Sequence, residues 1–181
     1  MNKKNILNNK TGFTMIELLI VIVIMGILSA IGLGTFTSSQ LKARDSKRKS
    51  DLRTIGDALE VYYNDWGNYP IDGGDGVIYG CGTDSEAACT AGSIWSNDQG
   101  TTYMVQIPDD PRAGTYYYMS DATGSFYRIY AHLENDQDRD IPEDGLGDKQ
   151  YYTTPASVSC VIGDCNYGKS STNVTLGGIS S

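Results

Sequence analysis

From Phe13 to Leu33 the chain runs for 21 residues with a single charge, Glu17. About 20 apolar residues suffice to cross a hydrocarbon layer of roughly 30 Å as a helix. A carboxylate costs about 2.5–3.5 kcal/mol at the centre of such a layer on insertion scales, and less near an end. Glu17 is the fifth residue of the run, so it needs a reason to be there. A cleaved secretory signal would carry a small-residue cut site after a short apolar region. Ser29-Ala30 lies in that place, but the run continues to Leu33 and is longer than such a region. A plain single-pass anchor accommodates the run and leaves Glu17 unexplained.

Ahead of the run stand Lys3, Lys4 and Lys10, then one glycine, and the junction reads Gly12-Phe13-Thr14-Met15-Ile16-Glu17-Leu18-Leu19. This segment resembles the class III signal of type IV pilins and type II secretion pseudopilins. The resemblance implies that a prepilin peptidase cuts between Gly12 and Phe13 and methylates the new N-terminal Phe13. It also implies that Glu17 is the assembly carboxylate, paired with the free amine of a neighbouring subunit. The implied partners are further copies of the chain, the peptidase, the inner-membrane assembly platform and the membrane itself.

Charge and composition narrow the field. Lys and Arg number 14 against 22 Asp and Glu, a net charge of −8. Met1–Gly12 holds three lysines and no acid, so without it the side chains sum to −11. Such a surface suits neither nucleic acid nor anionic lipid. The single histidine, His132, lies in Tyr-Arg-Ile-Tyr-Ala-His-Leu and reads as a strand residue. It leaves little scope for histidine-centred catalysis or a zinc site. Cys81, Cys89, Cys160 and Cys165 form two close pairs, and four cysteines allow three connectivities. Pairing within each close pair is the expectation, because each brackets a short loop containing a glycine, Gly82 or Gly163. Neither pair has zinc-knuckle spacing.

No proline precedes Pro70, so the apolar run is free to continue as one helix through 35–66. Leu41, Arg48, Leu52, Ile55, Leu59, Tyr62 and Trp66 recur at helical spacing. Arg44, Asp45, Lys47, Arg53, Asp57 and Glu60 lie mostly around that stripe. Arg48 is its polar exception and reads as a stem along the face with its charge in water. A helix over 13–66 would be about 81 Å long, which implies a membrane span or a coiled coil. Gly26, Ala30 and Gly34 fall four apart, a spacing that lets apolar helices approach closely. Many pilins carry a proline where this chain has Gly32 and Gly34, and glycine weakens a helix at that place by about 1 kcal/mol relative to alanine. The cluster Lys42-Ala-Arg-Asp-Ser-Lys-Arg-Lys makes the second flank of the run basic as well. The positive-inside rule therefore gives no orientation, and the motif assigns the leader to the cytoplasm.

Gly67 and Pro70 stop the helix. Leu59–Pro70 is also similar to the L-x-L-Y-x-x-D-x-G-x-Y-P end of the long helix in major pseudopilins, with Val61 in place of the second leucine. Ile107-Pro-Asp-Asp-Pro111 resembles the P-x-D-P turn that precedes the sheet in those proteins. Residues 71–102 read as a loop with a short helix at Ser85–Ala91. Thr115–Met119 and Ser125–Leu133 read as a hairpin around Asp121-Ala-Thr-Gly124. A third strand is expected at Tyr151–Thr154 or Ser157–Ile162, and a loosely ordered tail from Gly168.

One acidic loop, Glu134–Asp148, carries cation chemistry in its composition. Asp136, Asp138 and Asp140 alternate as EF-hand ligands do, but Ile141 and Gly147 occupy the glycine and glutamate places, so it is no EF-hand. Major pseudopilins bind calcium in a loop after the corresponding strand, and the resemblance implies calcium at Asp136, Asp138, Asp140 and Asp148. The alternative is a solvated acidic loop.

The resulting expectation is an α+β protein. A leader at 1–12 precedes a transmembrane and assembly helix at 13–34 and an amphipathic spine at 35–66. A head with a small antiparallel sheet at 67–167 packs on that spine, and a flexible tail covers 168–181. The expected function is a non-enzymatic subunit of a type IV pilus-type filament, outside the cytoplasm once assembled. The alternative within the family is a major pseudopilin of a type II secretion system. A membrane-anchored metalloenzyme using the acidic loop is the alternative of another class.

Overall fold

The computed structural model describes residues 12–81, 87–112, 116–144, 146–152, 160, 164–177 and 179–180, with the backbone alone at 31–35 and 179–180. The leader at 1–11, the loop residues 82–86 and 161–163, and the segment 153–159 lie outside that description. The chain divides into two compact units, Met1–Gln40 and Leu41–Ser181.

Helix α1 spans Met15–Trp66. Its start is a capping box. The Thr14 backbone N–H donates to Glu17 Oε2 at 2.8 Å, and the Glu17 N–H donates to Thr14 Oγ1 at 3.3 Å. Threonine at the N-cap and glutamate three residues on satisfy two orphan donors of the first turn reciprocally. The helix ends at Gly67, whose φ is +73° and whose N–H returns to Tyr63 O at 2.8 Å. That left-handed stop favours glycine.

In the first unit the described apolar side chains are exposed. From Phe13 to Leu28 the least exposed large one is Val21, at 47%. Ser29 Oγ donates to Met25 O at 2.8 Å, which hides its hydroxyl against the helix backbone. Among the described residues no helix is long and apolar enough to cross a membrane.

In the second unit α1 buries Leu52, Ile55 and Leu59 of the stripe read from the sequence, together with Ala58, while Trp66 at the end of the stripe is exposed. The buried residues pack with the inner face of a three-stranded antiparallel sheet in the order β3 (Tyr117–Ser120), β4 (Tyr127–Ala131), β6 (Tyr167–Ser170). Side chains alternate across a strand, so Tyr127, Ile129 and Ala131 of β4 join the helix-side core. Tyr130 points the other way and joins Tyr117, Cys160 and Cys165 in a second cluster. Both faces of β4 are thereby covered. β1 (Trp95–Ser96) pairs with β2 (Thr102–Met104), and Trp95, Tyr62 and Tyr103 stack at ring separations of 5.2–5.6 Å. β5 (Tyr151–Tyr152) pairs with β7 (Ile179–Ser180). The cysteines bridge as Cys81–Cys89 and Cys160–Cys165.

Three expectations change. The third strand of the main sheet is β6, from the segment read as the start of a loose tail. A Cβ on Gly168 would sit 2.8 Å from Tyr130 Cδ1 and 3.0 Å from Ile129 O, so this glycine permits close strand packing. Ser171 beyond it is 2% exposed, and its N–H donates to Tyr127 O. Tyr151–Tyr152 does form a strand, but in the small β5–β7 pair. The helix expected at Ser85–Ala91 is absent over 87–91, where Ala88 bridges Tyr79 and Cys89 N–H bonds Ile78 O. The disulfide holds this stretch as a looped-back pair.

Candidate functional site

The junction residues form one end of α1. Gly12 and Phe13 precede the helix, and Phe13 is 90% exposed. Glu17 lies in the first turn, and its Oε2 also accepts the Thr14 hydroxyl at 2.7 Å. Among the described residues, then, this carboxylate meets a hydroxyl and an amide and no cation. A Cβ on Gly26 would meet nothing within 4 Å, so the chain's own packing places no demand for glycine there. A helix that exposes this much apolar surface is a surface for lipid or for other helices. The sequence reading missed Thr14, although T-x-x-E at the head of an apolar run is the capping-box pattern.

Arg48 corrects the reading of the spine. It is fully buried, and so is Asp45, which had been placed around the stripe. Its guanidinium holds Asp110 with two bonds, Nε to Oδ2 at 2.6 Å and Nη2 to Oδ1 at 2.9 Å. Nη1 reaches Asp45 Oδ1 at 2.7 Å and Glu134 Oε1 at 2.8 Å. Arg44 adds a bidentate pair to Glu134 at 2.8 and 2.7 Å, and Arg112 reaches it at 3.2 Å. Asp45 also accepts the backbone N–H groups of Glu134 and Asn135, each at 2.9 Å. A buried guanidinium is tolerable only when paired and hydrogen-bonded on all sides. Hydrogen bonds from Arg44, then Arg48, outweigh burial and hold the Glu134 carboxyl down at about 2. The network ties α1 to the Pro-Asp-Asp-Pro turn and to the end of β4. The signal in the sequence was a charge on the apolar stripe with an acid three residues before it.

Of the five cations in the basic cluster beside the run, four pair within the second unit. Arg44, Lys47, Arg48 and Lys49 all bond carboxylates of the second unit.

The acidic loop does not gather its four candidate ligands. Lys49 Nζ lies between Asp138 Oδ1 and Asp140 Oδ2, at 2.6 and 2.5 Å. Asp136 is exposed, and the Asp148 N–H closes a separate turn on Asp144 Oδ1 at 2.9 Å. Among the described residues no three His, Cys, Asp or Glu side chains are grouped to hold a metal ion. Calcium takes six to eight oxygen ligands, and this arrangement does not fit a resident one. His132 Nδ1 meets Asp164 O at 2.7 Å, a link between the end of β4 and the Cys160–Cys165 loop.

A capped, uncovered apolar helix with one carboxylate in its first turn, continuing as the spine of a small α+β head, defines a pilin-type subunit. Residues 7–33 match the prokaryotic N-terminal methylation motif. The chain is 31% identical over 122 residues to the type II secretion system core protein G of Aeromonas hydrophila, covering 66% of this chain and 78% of that protein. It is 27% identical over 124 residues to the protein of the same name from Pseudomonas aeruginosa, covering 67% and 82%. It is also 36% identical over 58 residues to the type IV major pilin protein PilA of Myxococcus xanthus, covering 32% and 26%. No solved structure matches it with significance. The chain belongs to the type IV pilin and type II secretion pseudopilin family.

Proposed function

We propose that this protein is a membrane-anchored precursor cut between Gly12 and Phe13 by a prepilin peptidase. It then polymerises through α1 into a filament on an inner-membrane assembly platform. The observation that carries this reading is Glu17 in the first turn of an uncovered apolar helix, directly after the Gly12-Phe13 junction. On polymerisation, helices of neighbouring copies cover the apolar run, and the amine freed at Phe13 gives Glu17 the cation it lacks among the described residues. A buried charge without a partner is costly, so the pairing favours addition of a subunit in one register. The role is structural, as it is for the relatives, whose names are those of pilus and secretion-system proteins.

The test is mass analysis of the protein from cells with and without prepilin peptidase. A peptidase-dependent chain beginning at methylated Phe13 is the expected result. Retention of Met1–Gly12, or a cut near Ala30, would overturn the reading.

A secretion pseudopilus is the second reading, favoured by the matches long enough to reach into the head, which are to core protein G. The match to the pilus protein is confined to 58 residues. Deletion of the gene separates the two: loss of protein export supports the pseudopilus, and loss of surface fibres with export intact supports the pilus.

A further inference from the structure

We infer that the acidic loop carries its own cation: the Lys49 ammonium holds Asp138 and Asp140 in the place where a divalent ion would otherwise be needed, so the head is built to fold without calcium. This stands apart from the filament reading and concerns the head alone.

Two carboxylates facing each other repel unless a cation lies between them. Here Lys49, on α1, donates to one oxygen of each, at 2.6 and 2.5 Å. The Asp140 N–H closes the ring on Asp138 Oδ1 at 3.0 Å. The ammonium also lies 5.6 Å over the ring of Tyr167 in β6, a cation–π contact that fixes it from a third side. An aromatic face serves an ammonium and offers a hard cation no oxygen. Lys149 adds a second ammonium. Its Nζ donates to the Asp138 carbonyl at 3.2 Å and pairs with Glu143. Calcium draws on carboxylates and backbone carbonyls together, and at Asp138 both kinds of oxygen are already held by lysines.

Lys49 is a residue of α1, so its ammonium is present at the loop at high effective concentration whatever the medium contains. The bond also does what a metal would: it ties the loop to the helix that carries the head.

The test uses the full mature chain in detergent. Its thermal midpoint is measured in excess calcium and in excess EDTA, and calcium uptake is measured by calorimetry. Equal midpoints and no uptake are expected. A resident site at a hundred times its Kd would raise the folding constant about 100-fold, and a calcium-dependent rise in midpoint would overturn the proposal. Lys49→Met supplies the second arm. It should lower the midpoint and open residues 136–144 to protease, and the loss should vanish when Asp138→Asn and Asp140→Asn are already present. A Lys49→Met chain with unchanged midpoint and an uncut loop would equally overturn the proposal.

Discussion

Helix α1 carries two charges on apolar faces, and the chain treats them differently. Arg48 is enclosed by Asp45, Asp110 and Glu134, all of its own chain. Glu17 lies among exposed apolar side chains and, among the described residues, meets the Thr14 hydroxyl and amide. The first arrangement is finished when the head folds. On the proposed reading, the second is finished when another molecule brings a cation and apolar cover. A charge in an apolar stripe is structural where its counter-ions are intramolecular, and points to assembly where they are not.

The largest effect expected from breaking this contrast is at Glu17. Glu17→Ala should leave the head's thermal midpoint unchanged and abolish filaments seen by electron microscopy. Normal filaments from that variant would end the assembly role.

Arg48→Met should do the reverse. It strands buried carboxylates and should destabilise the head by about 3–5 kcal/mol in denaturant unfolding. A loss below about 1 kcal/mol would mean that the network is solvated in solution.

Gly168→Ala tests the strand that had been read as tail. The added methyl meets Tyr130 and the Ile129 carbonyl at 2.8 and 3.0 Å. A loss of about 1–3 kcal/mol is expected from overpacking, against almost none for a mobile tail.

Acid titration probes the network more gently. The Glu134 carboxyl is lowered from 4.5 to about 2. A lowered carboxyl stabilises the fold above its unfolded value, and that contribution is lost as pH falls through the folded one. The midpoint advantage of wild type over Glu134→Gln should therefore be constant above about pH 4.5 and shrink from there towards pH 2. An advantage that grew on acidification would contradict the pairing.

The smallest effect is expected at Thr14. Thr14→Val removes the cap at about 1 kcal/mol, confined to the first turn. Faster amide exchange at Glu17 and Leu18 in detergent should report it, with the head unmoved. Unchanged exchange would mean that the capping box does not hold Glu17 before assembly.

What was legible beforehand followed from local pattern. The long helix, its stop at Gly67, the stripe from Leu52 to Leu59, the β3–β4 hairpin and the local disulfides all rest on spacing over a few residues. Glu17 was legible for the same reason, since one charge in an apolar run stands out without knowledge of the fold. Tertiary structure decided where partners are distant in the chain. Arg48 and Asp45 lie on or beside a stripe whose sequence does not show that Asp110 and Glu134, 62 and 89 residues further on, converge there. Gly168 read as flexible because a glycine's role depends on what approaches it, and here Tyr130 does. The acidic loop read as a cation site from its composition and from the family resemblance. Folding brought Lys49, 89 residues before Asp138, into its centre. Helical and strand periods are properties of neighbours in the chain, whereas the partner of a buried charge is chosen by the packing that brings remote segments together.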